Sequence, residues 1–426
     1  MRIYAFQGIT YDRQGDATPD ERGRRAAPPY DQIDGERAAA FHQLDPHHFT
    51  WLTKPVPGES GEVYREAARL HGAWLREGVV HREEAPALYA NAIELPDGSR
   101  RLGLTALVGL EPPESGVIRP HEETLAKPLA DRLALLRAME VDLEPVLLLS
   151  EDGGTLDRLL AEDLDGSRLL ASHRDDAGNR HEIHRVTGAE RLRRYRECLA
   201  GAPAAIADGH HRYKVALRHA QEQGLLEEPA ADPPPAAATK LAVITSVASP
   251  ALEIRPIHRA FARDPGIERA AAVAAQREPV EAGGGDAMAA AVAAASGAER
   301  PALGVQLPGR SPEIWHLDPE SPAAAAVAPA ARKLAVALLH AAVYPAMGLA
   351  AEAATDGTTL YRSDPGELWR AVEGGQAAVG LYLPPMDPAQ FAAAIAEGDM
   401  LPPKSTRFLP KLISGLVWAD HRTRLA

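Results

Sequence analysis

The sequence predicts an α/β protein, and two observations support this fold class. Short apolar runs typical of buried strands, such as PVLLLS (145–150) and KLAVITSVA (240–248), alternate with longer segments whose apolar residues recur at helical spacing. The chain has 426 residues, of which 45% are hydrophobic but only 5% aromatic. This length suits two domains, and the core is expected to consist mainly of Leu, Val, Ile and Ala.

The elements follow from periodicity and turn residues. ALYANAIEL (87–95) and RLGLTALVGL (101–110) flank a Pro-Asp-Gly-Ser turn and predict a β-hairpin. APPYDQI (27–33) contains two prolines and predicts a rigid loop that presents Tyr30 and Asp31. Helical spacing predicts helices over 62–78, the second half of 121–140, 188–201, 210–224 and 330–344.

A proline run divides the chain. EEPAADPPPAAAT (227–239) has three consecutive prolines among alanines and acidic residues, which is typical of a linker. We therefore expect an N-terminal α/β domain over 1–228, a linker over 229–239 and a C-terminal α/β region over 240–426. The Ala- and Gly-rich segment 265–300 carries no clear periodicity.

Charge and composition exclude several classes of protein. The formal net charge is −13, so the surface as a whole repels nucleic acid and anionic membranes. The single cysteine, Cys198, cannot form a disulfide within the chain. No apolar run approaches the ~20 residues that span a bilayer, and the start of the sequence lacks the pattern of a signal peptide. We expect a soluble cytoplasmic protein that binds neither nucleic acid nor membrane.

The most informative stretch is IADGHHRYKVAL (206–217), where an apolar strand runs into a helix. Gly209 lets the backbone approach a ligand, and the first N–H groups of a helix bind anions such as phosphate. His210, His211 and Arg212 add donors, while Asp208 is suited to bind Mg²⁺ or to position a nucleophile. The alternatives are an Asp helix cap followed by surface His and Arg residues, or a His metal site.

Six motifs together resemble a known family. They are APPYD (27–31), RPHEETL (119–125), DRLALLRAMEVDLEPV (131–146), IADGHHRYKVAL (206–217), RPIHR (255–259) and PPKSTRFLPKLISGLV (402–417). By these motifs the chain is identified as a member of the bacterial and archaeal family called domain of unknown function 1015. Three positions depart from the family pattern: Ile257 in place of Thr, and Arg407 and Leu409 in place of aromatic residues.

A wider resemblance supplies the expected chemistry. The D-G-H-x-R turn is similar to the phosphate loop of the ParB/sulfiredoxin superfamily, which includes ParB-type nucleotide-binding proteins, sulfiredoxin and free-serine kinases. The resemblance implies a ParB/sulfiredoxin-like nucleotide-binding core with additional α/β segments. It also implies that Gly209, His210, His211 and Arg212 hold the phosphates of ATP or ADP.

Further candidates complete a kinase site, because phosphoryl transfer needs a phosphate cradle, a cation and a group that positions the hydroxyl. The free-serine kinases are similar in using an acidic residue beside the phosphate loop, for which the candidates are Asp31, Glu36, Glu122 and Asp208. The alternative for Glu122 is an ordinary acid in the first turn of a helix. His210 is a further catalytic candidate. Lys404, Ser405 and Thr406 are candidates for a second phosphate or carboxylate grip, or for a helix cap. The candidates for substrate binding are Tyr30, His121, His258 and Arg259. The alternative for His258 and Arg259 is a surface salt bridge.

The sequence thus predicts a small-molecule kinase. With Mg²⁺, it would transfer a phosphoryl group from ATP or ADP to the hydroxyl of a free amino acid, L-serine above all, giving O-phosphoserine. One alternative is a nucleotide-binding regulator of ParB type, which calls for a basic DNA-reading helix that the sequence does not display. The other is a metal-dependent nucleotide hydrolase or nuclease, which calls for acidic residues near Asp208.

Overall fold

The computed structural model divides into two compact units. It describes residues 1–11, 18–57, 62–122, 126–226, 232–398 and 400–426. Unit 1 consists of residues 1–120, 124–252 and 410–426, and unit 2 of residues 121–123 and 253–409. The chain therefore passes from unit 1 into unit 2 and returns to unit 1.

Unit 1 combines a mixed sheet with helices. Its described strands up to residue 252 are β1 (Ile3–Tyr4), β2 (Ile9–Tyr11), β3 (Val80–Arg82), β4 (Leu88–Glu94), β5 (Arg100–Gly109), β6 (Ile118–Arg119), β7 (Val141–Asp142), β8 (Val146–Ser150), β9 (Arg168–Arg174), β10 (Arg180–Val186), β11 (Ala204–Asp208) and β12 (Thr239–Ser246). Its described helices are α1 (Pro19–Gly23), α2 (Gly35–Leu44), α3 (Thr50–Thr53), α4 (Val63–Glu77), α5 (Ala126–Met139), α6 (Thr155–Leu164), α7 (Ala189–Ala200) and α8 (His210–Glu222).

The main sheet of unit 1 has nine strands within the described residues. Their order is β6-β11-β8-β12-β5-β4-β10-β9, with β1 beside β5. β6 is parallel to β11, and β8 is parallel to β12, whereas the other neighbouring strands run antiparallel. The sheet is therefore mixed, and it places β11, the strand of the D-G-H-H-R motif, near one edge.

Apolar clusters cover both faces of this sheet. On one face, Leu156, Tyr195 and Leu217 of α6, α7 and α8 pack against the strands. On the other face, Trp74 and Leu135 of α4 and α5 belong to a second cluster. Each fully buried side chain of this size contributes about 1.5–3 kcal/mol to the burial term of folding.

Unit 2 is also an α/β assembly. Its described strands are β13 (Glu253–Arg255), β14 (His258–Phe261), β15 (Ala274–Pro279), β16 (Ala302–Gln306), β17 (Glu313–Leu317), β18 (Leu360–Arg362), β19 (Val379–Tyr382) and β20 (Arg407–Leu409). Its described helices are α9 (Ile267–Ala270), α10 (Gly285–Ala295), α11 (Ala335–Leu338), α12 (Tyr344–Met347), α13 (Pro365–Glu373) and α14 (Pro388–Ala396). Six strands form an antiparallel sheet in the order β15-β17-β16-β19-β14-β18, and β13 pairs with β20. In unit 1, β21 (Ala419–Asp420) then pairs with β7.

Much of the predicted secondary structure is confirmed. The α/β class holds for both units, and the predicted hairpin is the antiparallel pair β4–β5. The helix predicted over 62–78 is α4, and the strand–turn–helix predicted for the D-G-H-H-R motif is β11 followed by α8. The unpatterned segment 265–300 contains α9, β15 and α10.

The domain boundary differs from the expected one. β12 begins at Thr239 and lies between β5 and β8 in the main sheet, so unit 1 continues to Leu252 instead of ending at residue 228. Backbone pairing with two neighbouring strands fixes this segment in unit 1 despite the three prolines that precede it. Residues 227–231 of the expected linker lie outside the described residues.

The helix predicted over 330–344 is interrupted. A 3₁₀ turn over Ala331–Lys333 and the short helix α11 precede a π-helix over Leu339–Val343, which leads into α12. Pro345 in α12 has no N–H with which to bond four residues back, and this favours a wider turn immediately before it. His340 therefore lies on a π-turn.

Candidate functional site

β11 and α8 of unit 1 meet at one glycine. Gly209 has φ +94° and is the N-cap of α8. A Cβ at this position would lie 3.0 Å from both Val146 Cγ1 and Arg212 Nε, so the turn is suited to glycine alone. The first N–H groups of α8 follow this turn, and the helix dipole favours an anion there. His210 and His211, half-buried, form the start of the helix.

Asp208 ends β11 between two cations. Its Oδ2 accepts a hydrogen bond from Arg212 Nη2 at 2.7 Å, and its Oδ1 accepts one from Lys411 Nζ at 2.5 Å. Burial alone would raise the pKa of Asp208, but Lys411 and Arg212 outweigh it and hold that pKa at about 2. Asp208 is therefore ionised at neutral pH and cannot act as a general acid there.

Arg212 is buried and holds Asp208 in place. Besides its bond to Asp208, its Nη1 donates to the carbonyl oxygen of Pro145. Both terminal nitrogens thus have protein partners in this conformation, which makes Arg212 a positioning residue for Asp208. Its predicted direct contact with phosphate stays a prediction.

Tyr30 and Asp31 lie in a single 3₁₀ turn, Tyr30–Gln32, within the loop expected to be rigid. The Arg132 guanidinium carbon lies 4.4 Å from the centroid of the Tyr30 ring, and Lys54 Nζ lies 5.6 Å from it. Tyr30 also lines a cavity of about 530 Å³ in unit 1, within the size range of small-molecule sites. Asp31 is exposed, and its charge helps to raise the pKa of Arg212.

A second group of candidates lies in unit 2. The Nε2 of His121 is 3.0 Å from Thr406 Oγ1, and Glu122 Oε1 accepts a bond from the backbone N–H of Lys404 at 3.4 Å. Ser405 Oγ donates to the carbonyl oxygen of Pro402 at 2.5 Å, so this hydroxyl helps to fix the loop. Lys404 has φ +61°, a left-handed conformation rarely adopted by residues other than glycine, Asn and Asp. The RPHE and KST motifs are thereby brought together in unit 2.

His258 and Arg259 lie on β14 and are fully buried. His258 Nδ1 accepts a bond from the backbone N–H of Leu383 at 3.1 Å, and burial, followed by the nearby Arg259 charge, lowers the His258 pKa to about 4. Arg259 Nη1 donates to the Ile257 carbonyl oxygen, and its guanidinium lies 4.8 Å from the Tyr361 ring centroid. Its Nε and Nη2 find no hydrogen-bond acceptor among the described residues.

Glu122 and Arg259 are electrostatic neighbours within unit 2. Burial lowers the pKa of Arg259, and the charge of Glu122 is among the groups that raise it. Glu122 likewise contributes to the raised pKa of Tyr361, which burial brings to about 12. The arrangement combines a carboxylate with a buried guanidinium that keeps hydrogen-bonding capacity.

The sequence reasoning missed two residues that the structure makes prominent. Lys411 is the ion-pair partner of Asp208, and its signal was its place at the end of the KSTxFxPK signature. His340 is buried on the π-turn, its Nε2 finds no partner among the described residues, and burial lowers its pKa to about 3. No sequence pattern around His340 distinguishes it from a core residue of an ordinary helix.

The structure bears on two further expectations. Within the described ranges, no three His, Cys, Asp or Glu side chains come together in a group able to hold a metal ion. Both carboxylate oxygens of Asp208 already accept bonds from cations, so its role as a Mg²⁺ ligand stays a prediction. No helix in the described part of the chain is long and apolar enough to span a bilayer.

Comparison with protein families gives a clear match. The model of the family described as "Protein of unknown function (DUF1015)" matches residues 3–336. The chain belongs to this family. No curated protein matches the chain.

Several solved structures resemble the chain weakly. A conserved hypothetical protein from Pyrococcus furiosus shares 13% identity with it at a TM-score of 0.35, over 74% of this chain and 95% of that one. A free serine kinase in complex with AMP shares 12% identity at a TM-score of 0.36, over 74% and 90%. SbnI from Staphylococcus aureus, with a C-terminal truncation, shares 11% identity at a TM-score of 0.36, over 72% and 85%.

Proposed function

We propose that the protein is a small-molecule kinase that transfers a phosphoryl group from ATP or ADP to the hydroxyl of a free amino acid, with L-serine as the preferred acceptor. The observation that carries this proposal is the turn at Gly209. This glycine has a left-handed conformation and is the N-cap of α8, and it directly follows the ionised Asp208, which accepts hydrogen bonds from Arg212 and Lys411. Backbone N–H groups at such a turn are suited to phosphate oxygens. The side chains of His210 and His211 would add donors to the same anion.

Asp208 would serve this phosphate site by fixing cations. Lys411 and Arg212 both bond to its carboxylate, so their positive charges are held close to the start of α8. Fixed cations stabilise the charge that spreads over the phosphoryl oxygens during transfer. Mg²⁺ would enter with the nucleotide, since it is commonly bound by substrate phosphates plus one or two carboxylates.

Asp31 is the proposed base in unit 1. The acceptor oxygen would attack the terminal phosphorus while the bond between that phosphorus and the nucleotide oxygen breaks. The hydroxyl proton would pass to the carboxylate of Asp31, which is exposed and follows Tyr30 in the 3₁₀ turn beside the unit 1 cavity. In unit 2, Glu122 and Arg259 stay candidate ligand-binding groups of that unit, since Nε and Nη2 of Arg259 find no acceptor among the described residues.

Phosphorus NMR tests this proposal. The protein is mixed with Mg²⁺, ATP or ADP, and a panel of hydroxyl amino acids, and new phosphate esters are sought. Asp31→Asn should lower the rate of ester formation by about 10²–10⁴-fold, the usual contribution of a general base. Asp176→Asn in the same unit is the matched control, because its exposed ion pair with Arg37 has no proposed role.

The remaining outcomes separate the alternatives. Nucleotide binding without any ester would favour a regulator of ParB type, and release of inorganic phosphate alone would favour a hydrolase. Equal rates for Asp31→Asn and the control would refute the role of Asp31. No binding of either nucleotide would refute the kinase proposal as a whole.

A further inference from the structure

The main sheet of unit 1 carries polar residues on the same face as Asp208. Directly paired residues of neighbouring strands point to one face, and the pairs Asp208–Leu147, Leu147–Val243 and Val243–Thr105 cross the sheet in a row. A register shift between Ile206 and Asp208 turns Asp208 towards this face. Thr105 and Asp208 therefore share one face, three strands apart.

Arg101, Gly103 and Thr105 alternate along β5, so they also lie on this face. A Cβ at Gly103 would meet Val243 Cγ1 at 2.6 Å and Thr245 Oγ1 at 3.1 Å. The side chains of Val243 and Thr245 therefore occupy the space beside Gly103 that a Cβ would take. This places the Thr245 hydroxyl on the same face of the sheet, between Arg101 and Thr105. Any larger residue at position 103 would displace that hydroxyl.

Four polar atoms of this group are buried without a partner. Arg101 is 1% exposed, and neither its Nη1 nor its Nη2 has a hydrogen-bond acceptor among the described residues. The hydroxyls of Thr105 and Thr245 are likewise buried and unpartnered within the described ranges. Buried polar groups in native proteins are nearly always hydrogen-bonded, so four such atoms on one face call for an explanation.

Asp208 does not neutralise Arg101. Burial lowers the pKa of Arg101 to about 10 although the Asp208 charge acts to raise it, and Asp208 is not a hydrogen-bond acceptor for either terminal nitrogen of Arg101. Each Asp208 oxygen, however, already accepts a bond from Arg212 or Lys411. Water can satisfy a threonine hydroxyl, but a buried guanidinium also requires a negative charge.

We propose that Arg101, together with the hydroxyls of Thr105 and Thr245, forms a binding site for an oxyanion on this face of the unit 1 sheet. The ligand group is a phosphate or a carboxylate, whose oxygens would accept from both Arg101 nitrogens and from the two hydroxyls. The site does not require phosphoryl transfer. It adds a third cation to the side of the sheet on which Asp208 holds Arg212 and Lys411.

Ligand binding and stability together test this site. Binding of inorganic phosphate, ADP and L-serine is measured by calorimetry at constant ionic strength, and thermal unfolding is followed with and without each ligand. Arg101→Met should weaken at least one of the three by about tenfold or more, since a bidentate charged contact is lost. Without ligand, it should unfold at the same temperature as wild type or higher, because it removes an unpaired buried charge.

The ligand whose affinity falls in Arg101→Met identifies the kind of oxyanion. A loss of affinity confined to L-serine would assign the site to a carboxylate, whereas a loss of affinity for ADP or phosphate would assign it to a phosphate group. Thr245→Val should lower the affinity for the same ligand by a smaller factor and should not lower the unfolding temperature. Arg100→Met is the matched control, since Arg100 alternates to the opposite face of β5 and is half exposed beside Glu182.

Two results would overturn the proposal. In one, Arg101→Met lowers the unfolding temperature well below that of the Arg100 control while binding is unchanged, which would make Arg101 a structural residue. In the other, none of the three ligands binds wild type more tightly than it binds Arg101→Met. Because neither readout uses catalysis, these results leave the kinase proposal to its own test.

Discussion

In unit 1, Asp208 meets both Arg212 and Lys411 within 2.7 Å, whereas in unit 2 the fully buried Arg259 keeps two guanidinium nitrogens without partners among the described residues. The first region has paired charges, so its geometry is set before any ligand arrives. The second holds a charge that burial disfavours more than nearby groups such as Tyr344, Tyr361 and Glu122 favour it, so the Arg259 pKa is lowered. The difference separates charges that are paired within the protein from a buried charge that keeps two nitrogens without acceptors in the described part of the chain.

The largest expected effect comes from breaking the paired region. Asp208→Ala leaves Arg212 and Lys411 without their shared counter-charge and should lower the free energy of unfolding by about 3–5 kcal/mol. Urea unfolding monitored by circular dichroism measures this change. The control is Asp176→Ala, whose carboxylate is 88% exposed beside Arg37 and whose loss should cost less than about 1 kcal/mol. Equal losses would show that the Asp208 pairs add nothing beyond a surface ion pair.

Acid should weaken the same region. The folded-state pKa of Asp208 is about 2, which lies below its unfolded value. Its contribution is therefore complete above about pH 4 and is lost as the pH falls towards 2, amounting to about 2 kcal/mol. Measuring the free energy of unfolding from pH 2 to pH 6 tests this. In Asp208→Ala, the free energy of unfolding should fall less steeply between about pH 4 and pH 2. An identical slope in the variant would assign the acid sensitivity to other carboxylates.

Substitutions of two glycines separate the cost of a left-handed backbone from the cost of crowding by a Cβ atom. Gly209→Ala should lower stability by about 2 kcal/mol, because alanine disfavours a φ of +94° and its Cβ would crowd Val146 and Arg212. Gly98→Ala is the control, since Gly98 has φ +84° but no neighbouring atom within 4 Å. The control should lose only about 1 kcal/mol, the backbone part alone. Thermal unfolding of both variants measures these changes. An equal loss of stability in Gly98→Ala would contradict the prediction.

The smallest expected effect tests the unpaired region. Arg259→Met should leave the free energy of unfolding unchanged or raise it by about 1 kcal/mol, because it replaces a buried charge that has two nitrogens without acceptors among the described residues with an apolar side chain. Chemical unfolding measures the change. A loss as large as that of Asp208→Ala would mean that Arg259 stabilises the fold and that the contrast between the two regions is false.

The sequence predicted the local features of the site because they depend on neighbouring residues. An apolar strand, a glycine and a helical pattern follow one another within 206–217, so β11, Gly209 and α8 were predictable. The resemblance to the family added Glu122 and the KST motif. Periodicity likewise placed α4 and the β4–β5 hairpin.

Contacts between residues far apart in the sequence could not be predicted from it. Lys411 lies 203 residues from Asp208, and nothing near either residue indicates that their side chains meet. The position of β12 depends on strands β5 and β8, so a proline run beside it suggested a boundary that the sheet removes. In the sequence Arg101 resembles an ordinary strand residue, and only the register of the sheet places it on the face of Asp208.

The return of the chain from unit 2 to unit 1 affects the order of synthesis. Asp208 and Arg212 leave the ribosome about 200 residues before Lys411, and all of residues 253–409 of unit 2 come between them. During that interval the nascent unit 1 lacks one of the two cations that hold its aspartate, along with strand β21. Translation must therefore proceed past the second unit before the first can reach its final electrostatic state, and a ribosome stalled between them would present Asp208 with only one of its two cations.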